Sequence, residues 1–381
     1  MRASVVTLVL MLGLVACGGS PSATATHSPT STSPSAVATA TASPIASGSP
    51  GPASLVHCTT PVPAGDNLVI GTVVGDPTIV VRDIQDPANA KNLCTIDSTA
   101  LSPQFVSASA VAYETADNQI VIAPLAGGAT TLVATYAAGF GSGQYAISPD
   151  GRSVTYLEGN AWRLAGPSSN RTLTTLPAVP GRGVNANQDD SFLSFSPDGN
   201  YIALFQTFHV GGTGETAPDQ IRRASDGSLV YSTTGMTMAV WASVPSRLFF
   251  RDTTGNVHRW DSSAGLSSMT SLSWVRPKDS PDGRWIAYNF ATPSGVGGVG
   301  FYSVQSNNVS NTSPPGRTGV RFLTNDLVWY AGEKVCTSNC GLQATTPTGV
   351  TYIYSIAGAS EITSRLASVS DAWPHVTAAG L

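Results

Sequence analysis

The sequence has 381 residues, a formal net charge of −4 and 11% charged side chains, against 41% hydrophobic ones. It contains no basic run or stripe that would neutralise a phosphate backbone, so we expect no nucleic-acid partner. The region after the N-terminal segment is also long for one domain, unless that domain is a repeat architecture or a closed all-β fold.

Residues 1–16 have the features of a secretory signal peptide. Arg2 gives a positive start, an apolar run covers residues 5–15, and small residues precede Cys17. This pattern resembles the lipobox of bacterial lipoproteins, which implies that Cys17 carries a diacylglycerol and becomes the mature N-terminus. The alternatives are an ordinary signal peptide or a short membrane helix, but the run is shorter than the about 20 residues of a spanning helix. We expect a lipid anchor on the extracytoplasmic side of a membrane.

Residues 17–53 are predicted to form the lipidated cysteine and a disordered tether. From residue 20 onward this segment consists mainly of Ser, Thr, Pro, Ala and Gly, with a single histidine and no Asp, Glu, Lys or Arg. Such a composition cannot bury enough apolar surface to offset the entropy lost on ordering. We expect a spacer that holds a folded domain, residues 54–381, away from the membrane.

A four-residue repeat organises this domain. Ser-Pro-Asp-Gly occurs at residues 148–151, 196–199 and 280–283. Each copy lies between two short apolar runs, such as residues 192–195 and 201–204 around the second copy. Ser at the first position, Pro at the second and Gly at the fourth favour a type I turn. The motif therefore predicts hairpins, with the aspartates as turn formers rather than ligands.

Weaker copies extend the repeat over the whole domain, at steps of 36 to 48 residues. A third and a fourth strand are predicted after each hairpin, for example residues 257–260 as a third strand and residues 362–367 as the last fourth strand. Periods of about 40–50 residues with four strands each are typical of propeller blades. No segment shows sustained helical periodicity. We predict an all-β fold, a single β-propeller of four-stranded blades, with seven blades preferred and six possible.

The combination of strand, Ser-Pro-Asp-Gly and strand resembles the propeller repeat of TolB-like proteins and, more broadly, WD-repeat-like propellers. The same repeat is found in the propellers of prolyl oligopeptidase and dipeptidyl peptidase relatives. The resemblance covers the whole folded region and implies a recognition role, without a catalytic residue or a cofactor. Peptidase activity would need Gly-x-Ser-x-Gly on an α/β domain, and the sequence lacks that pentapeptide.

Four cysteines remain once Cys17 is assigned to lipid, namely Cys58, Cys94, Cys336 and Cys340. An even number of cysteines outside the cytoplasm favours disulfides, and three pairings are possible. We favour Cys58 with Cys94 and Cys336 with Cys340. A zinc site at residues 336–340 would lack a second pair of suitably spaced ligands, so no metal is expected.

Propeller topology places the blade-to-blade connections and the loops between second and third strands on one end of the disc. The long loops fall on that end, at residues 180–191, 206–219, 291–297 and 333–349. Long loops in a compact domain are usually functional, although each residue in them can also be an ordinary solvated one. The candidate binding residues are the charged and aromatic ones, Arg182, Asp189, Asp190, Phe208, His209, Glu215, Asp219 and Glu333.

The predicted function is that of a lipid-anchored extracytoplasmic module, which binds or scaffolds a protein, peptide or glycan of the cell envelope. The alternative is a propeller enzyme of the hydrolase or lyase type, with its site at the loop-rich mouth of the channel. Asp189, Asp190 and Asp219 would hold calcium if they converged, but the regular spacing of a calcium loop is missing.

Overall fold

A computed structural model describes residues 49–59, 62, 67–136, 145–158, 161–166, 169–175, 192–205, 219–242, 246–252, 254–271, 274–291, 296–337 and 345–373. The predicted signal peptide, Cys17 and most of the tether lie outside the described residues. Ile45–Leu381 form one compact unit. In the described part of the chain, no helix is both long and apolar enough to cross a bilayer.

The described residues form seven antiparallel sheets, which we number as blades 1–7 and list from the inner strand outward. Blade 1 consists of β30 (Leu366–Trp373), β3 (Leu68–Val73), β4 (Asp76–Asp83), β5 (Lys91–Ile96) and β2 (Val56–Cys58). Blade 2 consists of β6 (Leu101–Ser107), β7 (Ala110–Glu114), β8 (Gln119–Pro124), β9 (Thr131–Thr135) and β1 (Ser49–Pro50). Blade 3 consists of β10 (Tyr145–Ile147), β11 (Val154–Glu158), β12 (Ala161–Gly166) and β13 (Ser169–Thr175).

The other four blades contain four strands each. Blade 4 consists of β14 (Phe192–Phe195), β15 (Tyr201–Phe205), β16 (Asp219–Arg223) and β17 (Leu229–Thr233), and blade 5 of β18 (Thr237–Ala242), β19 (Arg247–Arg251), β20 (Asn256–Asp261) and β21 (Gly265–Ser271). Blade 6 consists of β22 (Val275–Asp279), β23 (Trp285–Ala291), β24 (Gly297–Ser303) and β25 (Asn308–Thr312), and blade 7 of β26 (Arg317–Phe322), β27 (Leu327–Val335), β28 (Thr345–Ser355) and β29 (Ser360–Ser364). The only helical element among the described residues is the 3₁₀ turn Pro87–Asn89. The predicted all-β propeller is confirmed, with seven blades.

The ring closes by a strand exchange that the sequence prediction missed. The fourth strand predicted at residues 362–367 exists as β29, but its predicted end is wrong, because β29 ends at Ser364 and a new strand, β30, begins at Leu366. β30 pairs with β3 as the inner strand of blade 1. The chain thus joins β30 to four N-terminal strands in one sheet and covers the inner edge of β3, which would otherwise be open.

Two short N-terminal strands cover the outer edges of blades 1 and 2. β1 pairs with β9, and β2 pairs with β5 so that Cys58 lies opposite Cys94. The two sulfurs are bonded at 2.03 Å. The predicted Cys58–Cys94 disulfide is therefore confirmed, and it fastens the N-terminal segment to blade 1.

Apolar side chains fill the spaces between neighbouring blades in seven clusters. Between blades 5 and 6, for example, the fully buried Trp274 packs against Phe249 and Tyr288, with ring centroids 6.4 and 6.1 Å apart. This arrangement follows from strand geometry, since alternate residues of one strand face the preceding and the following blade. Burial on both faces explains why the second strands are almost wholly apolar.

The polar side chains of the Ser-Pro-Asp-Gly turns form hydrogen bonds with each other and with the local backbone. In the second copy the buried Ser196 hydroxyl donates to Asp198 Oδ1 at 2.6 Å and accepts from the Tyr201 N–H at 2.9 Å. Gly199 closes the turn by donating to the Ser196 carbonyl, and its φ of 71° favours glycine. The other two copies repeat these bonds. The aspartates are turn formers, as the motif predicts.

Candidate functional site

The two ends of the propeller differ in what they carry. Each inner strand runs toward the end where the Ser-Pro-Asp-Gly turns lie, which we call the turn end. The opposite end carries the blade-to-blade connections and the loops between second and third strands, and we call its central opening the channel mouth. The first residues of the inner strands therefore line the channel mouth.

In four blades the inner strand is distorted at the channel mouth. Its register with the second strand shifts in blades 2, 5, 6 and 7 within the first few residues. Positive φ angles mark the four shifts, at Ser102 (49°), Met238 (55°), Arg276 (49°) and Gly319 (71°). A left-handed residue other than glycine costs about 1 kcal/mol or more. Bulges turn the following side chains in new directions, and such strain concentrates at functional sites.

All seven inner strands surround one cavity on the axis of the propeller. Its volume is about 740 Å³. Pockets that bind small organic ligands range over about 300–1,000 Å³. The channel is therefore large enough to hold a small molecule or a few residues of a peptide.

One level of this channel is lined by seven equivalent side chains, which we call the channel ring. In each blade, the ring residue lies opposite a residue of the second strand that is on the face toward the following blade. All seven line the cavity. From blade 1 to blade 7 they are Asp371, Gln104, Ala146, Ser194, Val240, Lys278 and Arg321.

Charge is distributed unevenly around the channel ring. Blades 3–5 contribute only small uncharged side chains, whereas blades 6 and 7 place Lys278 next to Arg321. On the far side of Arg321, the Asp371 carboxylate accepts from the Phe105 N–H at 2.6 Å and from the Ala372 N–H at 2.9 Å. The channel therefore has a cationic wall and, opposite it, a neutral wall.

Lys278 is the unusual member of the channel ring. Burial is the main cause that lowers its pKa from 10.5 to about 8, and the neighbouring Arg321 and Arg276 lower it further, while Asp279 and Asp371 oppose the shift. Within the described residues, its ammonium makes neither a hydrogen bond nor an ion pair. Lys278 is half-buried, and an ammonium that loses contact with water is normally paired, because desolvation of an unpaired charge is costly.

Two of the loop residues predicted to contact a ligand can be placed. Asp219 begins β16, is 1% exposed and accepts from the Met236 N–H at 2.8 Å. Glu333 accepts from the Gly297 N–H and, at 3.2 Å, from the Thr345 hydroxyl. Both carboxylates fasten segments of the loop-rich end. The other predicted binding residues lie outside the described residues, namely Arg182, Asp189, Asp190, Phe208, His209 and Glu215.

The remaining sequence candidates concern metals and the second disulfide. Among the described residues, no group of three or more His, Cys, Asp or Glu side chains converges closely enough to hold a metal ion. Cys336 is disulfide-bonded. Its predicted partner Cys340 lies outside the described residues, so that pairing stays a prediction.

A polar row on the outer part of blade 5 has a structural role. His258 Nε2 lies 2.9 Å from Asp252 Oδ2, and the Ser268 hydroxyl lies 3.4 Å from His258 Nδ1. Hydrogen bonds from His258 and Thr254 lower the pKa of Asp252. None of these residues lines the channel cavity. The row holds the turn between β19 and β20 in place.

Sequence reasoning missed the channel ring, although a signal for part of it exists. In the three perfect repeats the ring residue stands two positions before the turn serine, at Ala146, Ser194 and Lys278. This position varies, while the turn that follows is constant. Variation at a fixed place in a repeat is the signal that would have identified ring residues.

Comparison with known proteins supports the fold. No family model and no curated protein sequence matches the chain. Among solved structures, it is similar to an oligogalacturonate lyase from Vibrio parahaemolyticus, with a TM-score of 0.51 and 8% identity over 78% of this chain and 84% of that one. It is also similar to TolB from Acinetobacter baumannii, with a TM-score of 0.41 and 19% identity over 67% of this chain. The chain spans 65% of the length of that TolB structure.

A third similar structure is the dihydro-heme d1 dehydrogenase NirN, with a TM-score of 0.46 and 12% identity over 83% of this chain and 76% of that one. At 8% identity, the match to the oligogalacturonate lyase shows a shared fold and nothing about activity. The propeller implied by the TolB-like repeat is confirmed by the seven sheets.

Proposed function

We propose that this chain is a lipid-anchored, extracytoplasmic binding module, which recognises a protein, peptide or glycan of the cell envelope at the channel mouth. The observation that carries the proposal is the axial cavity of about 740 Å³, which all seven inner strands line. Strained bulges lie in four of these strands, nearer the channel mouth. The confirmed disulfide favours an oxidising compartment. The lipid anchor rests on Cys17 and the apolar run before it.

Rigidity is what the fold contributes to binding. Seven apolar clusters fix the blades against one another, so the inner strands hold the channel mouth in one shape before a partner arrives. A preformed site loses little conformational entropy on binding. The bulges at Ser102, Met238 and Arg276 are maintained by this surrounding structure.

The enzyme alternative has no comparable support. The likeness to an oligogalacturonate lyase is one of fold at 8% identity. Two carboxylates line the described cavity, Asp279 and Asp371, and the Asp371 oxygens already accept two backbone N–H groups. Binding is therefore the function that these residues favour.

Site-specific photo-cross-linking tests where a partner is bound. A photoreactive amino acid replaces Arg276 at the channel mouth or, as the matched control, Arg152 at the turn end; both side chains are exposed. In intact cells we expect a discrete cross-linked species from position 276 and none from position 152. Equal cross-linking from both positions, or cross-linking from position 152 alone, would contradict the proposal.

Replacement of the lipidated residue tests the anchor. We expect Cys17→Ala to move the protein from the membrane fraction to the medium or to leave an unprocessed precursor, because the thiol that accepts the lipid is gone. Fractionation and intact-mass measurement show which of these occurs. Unchanged membrane retention together with normal processing of the variant would rule out lipidation at this residue.

A further inference from the structure

The cationic wall of the channel consists of Lys278 and Arg321, and Lys278 is the member whose charge is not paired within the described residues. Both side chains occupy the same level of the cavity on neighbouring blades. The Arg321 guanidinium donates to the backbone carbonyl of Val320 at 2.8 Å. Lys278 has no hydrogen-bond or ion-pair partner within the part of the chain that the structure describes, so its donors are available to a ligand.

The acids near this wall limit the ligand's charge. Asp279 and Asp371 both act on Lys278 electrostatically, and both line the same cavity. Asp371 already accepts from the Phe105 N–H. An anion with two charges would be repelled by these carboxylates, whereas a single negative charge would interact mainly with the two cations. The charges therefore favour a monoanion.

The geometry of the donors favours a carboxylate among monoanions. A guanidinium presents paired donors that match the two oxygens of a carboxylate, and an ammonium adds a point charge. A phosphate group would bring a charge near −2 at neutral pH. Inorganic monoanions such as chloride would leave most of a cavity of about 740 Å³ unfilled.

The neutral wall provides space for the rest of the ligand. Ala146, Ser194 and Val240 form this side of the channel ring, and the buried Trp241 and Phe195 lie next to it along the cavity. Small side chains leave room inside the ring, and apolar surface with few polar groups is typical of sites for organic ligands. One end of a ligand would thus contact cations and its body a largely apolar surface.

We infer that the channel ring is a binding site for an organic monocarboxylate, whose carboxylate lies between Lys278 and Arg321 and whose uncharged body lies against blades 3–5. This inference deepens the proposed function, on which its biological role rests. The carboxylate can belong to an acidic sugar or to the C-terminus of a peptide, and the test separates these sources.

Binding is measured by calorimetry and thermal shift on the full chain, purified in detergent. Two probe pairs are used, glucuronate with glucose, and the N-acetylated tripeptide of alanine with its C-terminal amide. We expect the charged member of one pair to bind and its neutral partner not to bind at about 10 mM. The pair that responds identifies the source of the carboxylate.

Variants of the cationic wall test the assignment of residues. Lys278→Met and Arg321→Met should each weaken binding by about tenfold or more, while Lys278→Arg should retain most of it. The matched control Lys91→Met removes an exposed lysine from β5, outside the channel, and should bind normally. Melting curves without ligand confirm that each variant is folded.

A second readout follows the ammonium itself. Bound carboxylate should raise the pKa of Lys278 above about 8, which NMR of isotope-labelled lysine side chains detects directly. A residue with only a structural role would not respond to the ligand in this way.

Three results would overturn the inference: no binding of either carboxylate to the folded chain, equal stabilisation by phosphate or chloride, or unchanged affinity in Lys278→Met. If cross-linking from position 276 succeeds while no carboxylate binds, this inference falls and the binding module stands. If a carboxylate binds but the cross-link is absent, the site stands and the partner-binding role falls.

Discussion

The turn end and the channel ring are built from the same inner strands, yet the hydrogen bonding of their polar side chains differs. At the turn end, the Ser196 hydroxyl and the Asp198 carboxylate bond to each other and to the local backbone. In blade 6, Lys278 of the channel ring lies two residues before the equivalent serine, Ser280. Lys278 has no such hydrogen-bond partner among the described residues. The comparison separates polar groups that stabilise the blade from polar groups that are available to a ligand.

The repeat itself carries this distinction. The turn residues are the same in three blades, because each blade needs the same hairpin. The ring residue in those blades is Ala146, Ser194 or Lys278, since no element of the blade depends on it. A constant turn next to a variable ring residue lets one scaffold present different channel surfaces.

The largest effect is expected at the turn end, from Ser196→Ala. Removing the hydroxyl leaves the Tyr201 N–H without its acceptor in a buried position, which should lower the free energy of unfolding by about 1–3 kcal/mol. Urea denaturation measures the change. The matched control Ser225→Ala removes an exposed hydroxyl and should change stability by less than about 0.5 kcal/mol. Equal effects of the two substitutions would remove the distinction between the two regions.

A smaller effect of opposite sign is expected in the channel ring, from Lys278→Met. The pKa of Lys278 is about 8 in the folded chain and near 10.5 when unfolded, so the unfolded chain binds more protons between these pH values. The free energy of unfolding should therefore rise with pH in this window. Below pH 8, Lys278 is protonated in both states and the full cost of desolvating this half-buried charge is present.

Lys278→Met removes that cost and should stabilise the protein at pH 7 by on the order of 1 kcal/mol, allowing for solvent in the channel. The gain should disappear near pH 10.5. Denaturation at pH 7 and pH 10.5 measures both values, with Lys91→Met as the control. A loss of stability at pH 7 would show that Lys278 supports the fold and is not held in readiness for a ligand.

The fold was predictable because its information is local. Ser-Pro-Asp-Gly with flanking apolar runs specifies a hairpin within about ten residues, and the period of the hairpins specifies the blades. Ring closure was not predictable in this way. β30 has no turn motif to mark its start, and its pairing with β3 is long-range, as the hydrogen bond at 2.9 Å between the Thr72 and Ser368 hydroxyls, 296 residues apart, illustrates.

The sequence predicted only which end of the molecule carries the candidate site. Loop length indicated the loop-rich end, but the channel ring depends on which side of an inner strand faces the axis. That orientation is set by register and by the bulges at Ser102, Met238 and Arg276, neither of which the sequence pattern encodes. A shift of one residue would turn Lys278 away from the cavity.

The pairing of β30 with β3 also determines when blade 1 can be completed during synthesis of the chain. β30 follows β3 by about 300 residues in the chain, so blade 1 stays incomplete until β30 has been synthesised, however early its other strands form. A chain truncated before Leu366 would keep the edge of β3 exposed and would have no closed channel. Ligand binding in the channel should therefore require that β30 is present and paired with β3.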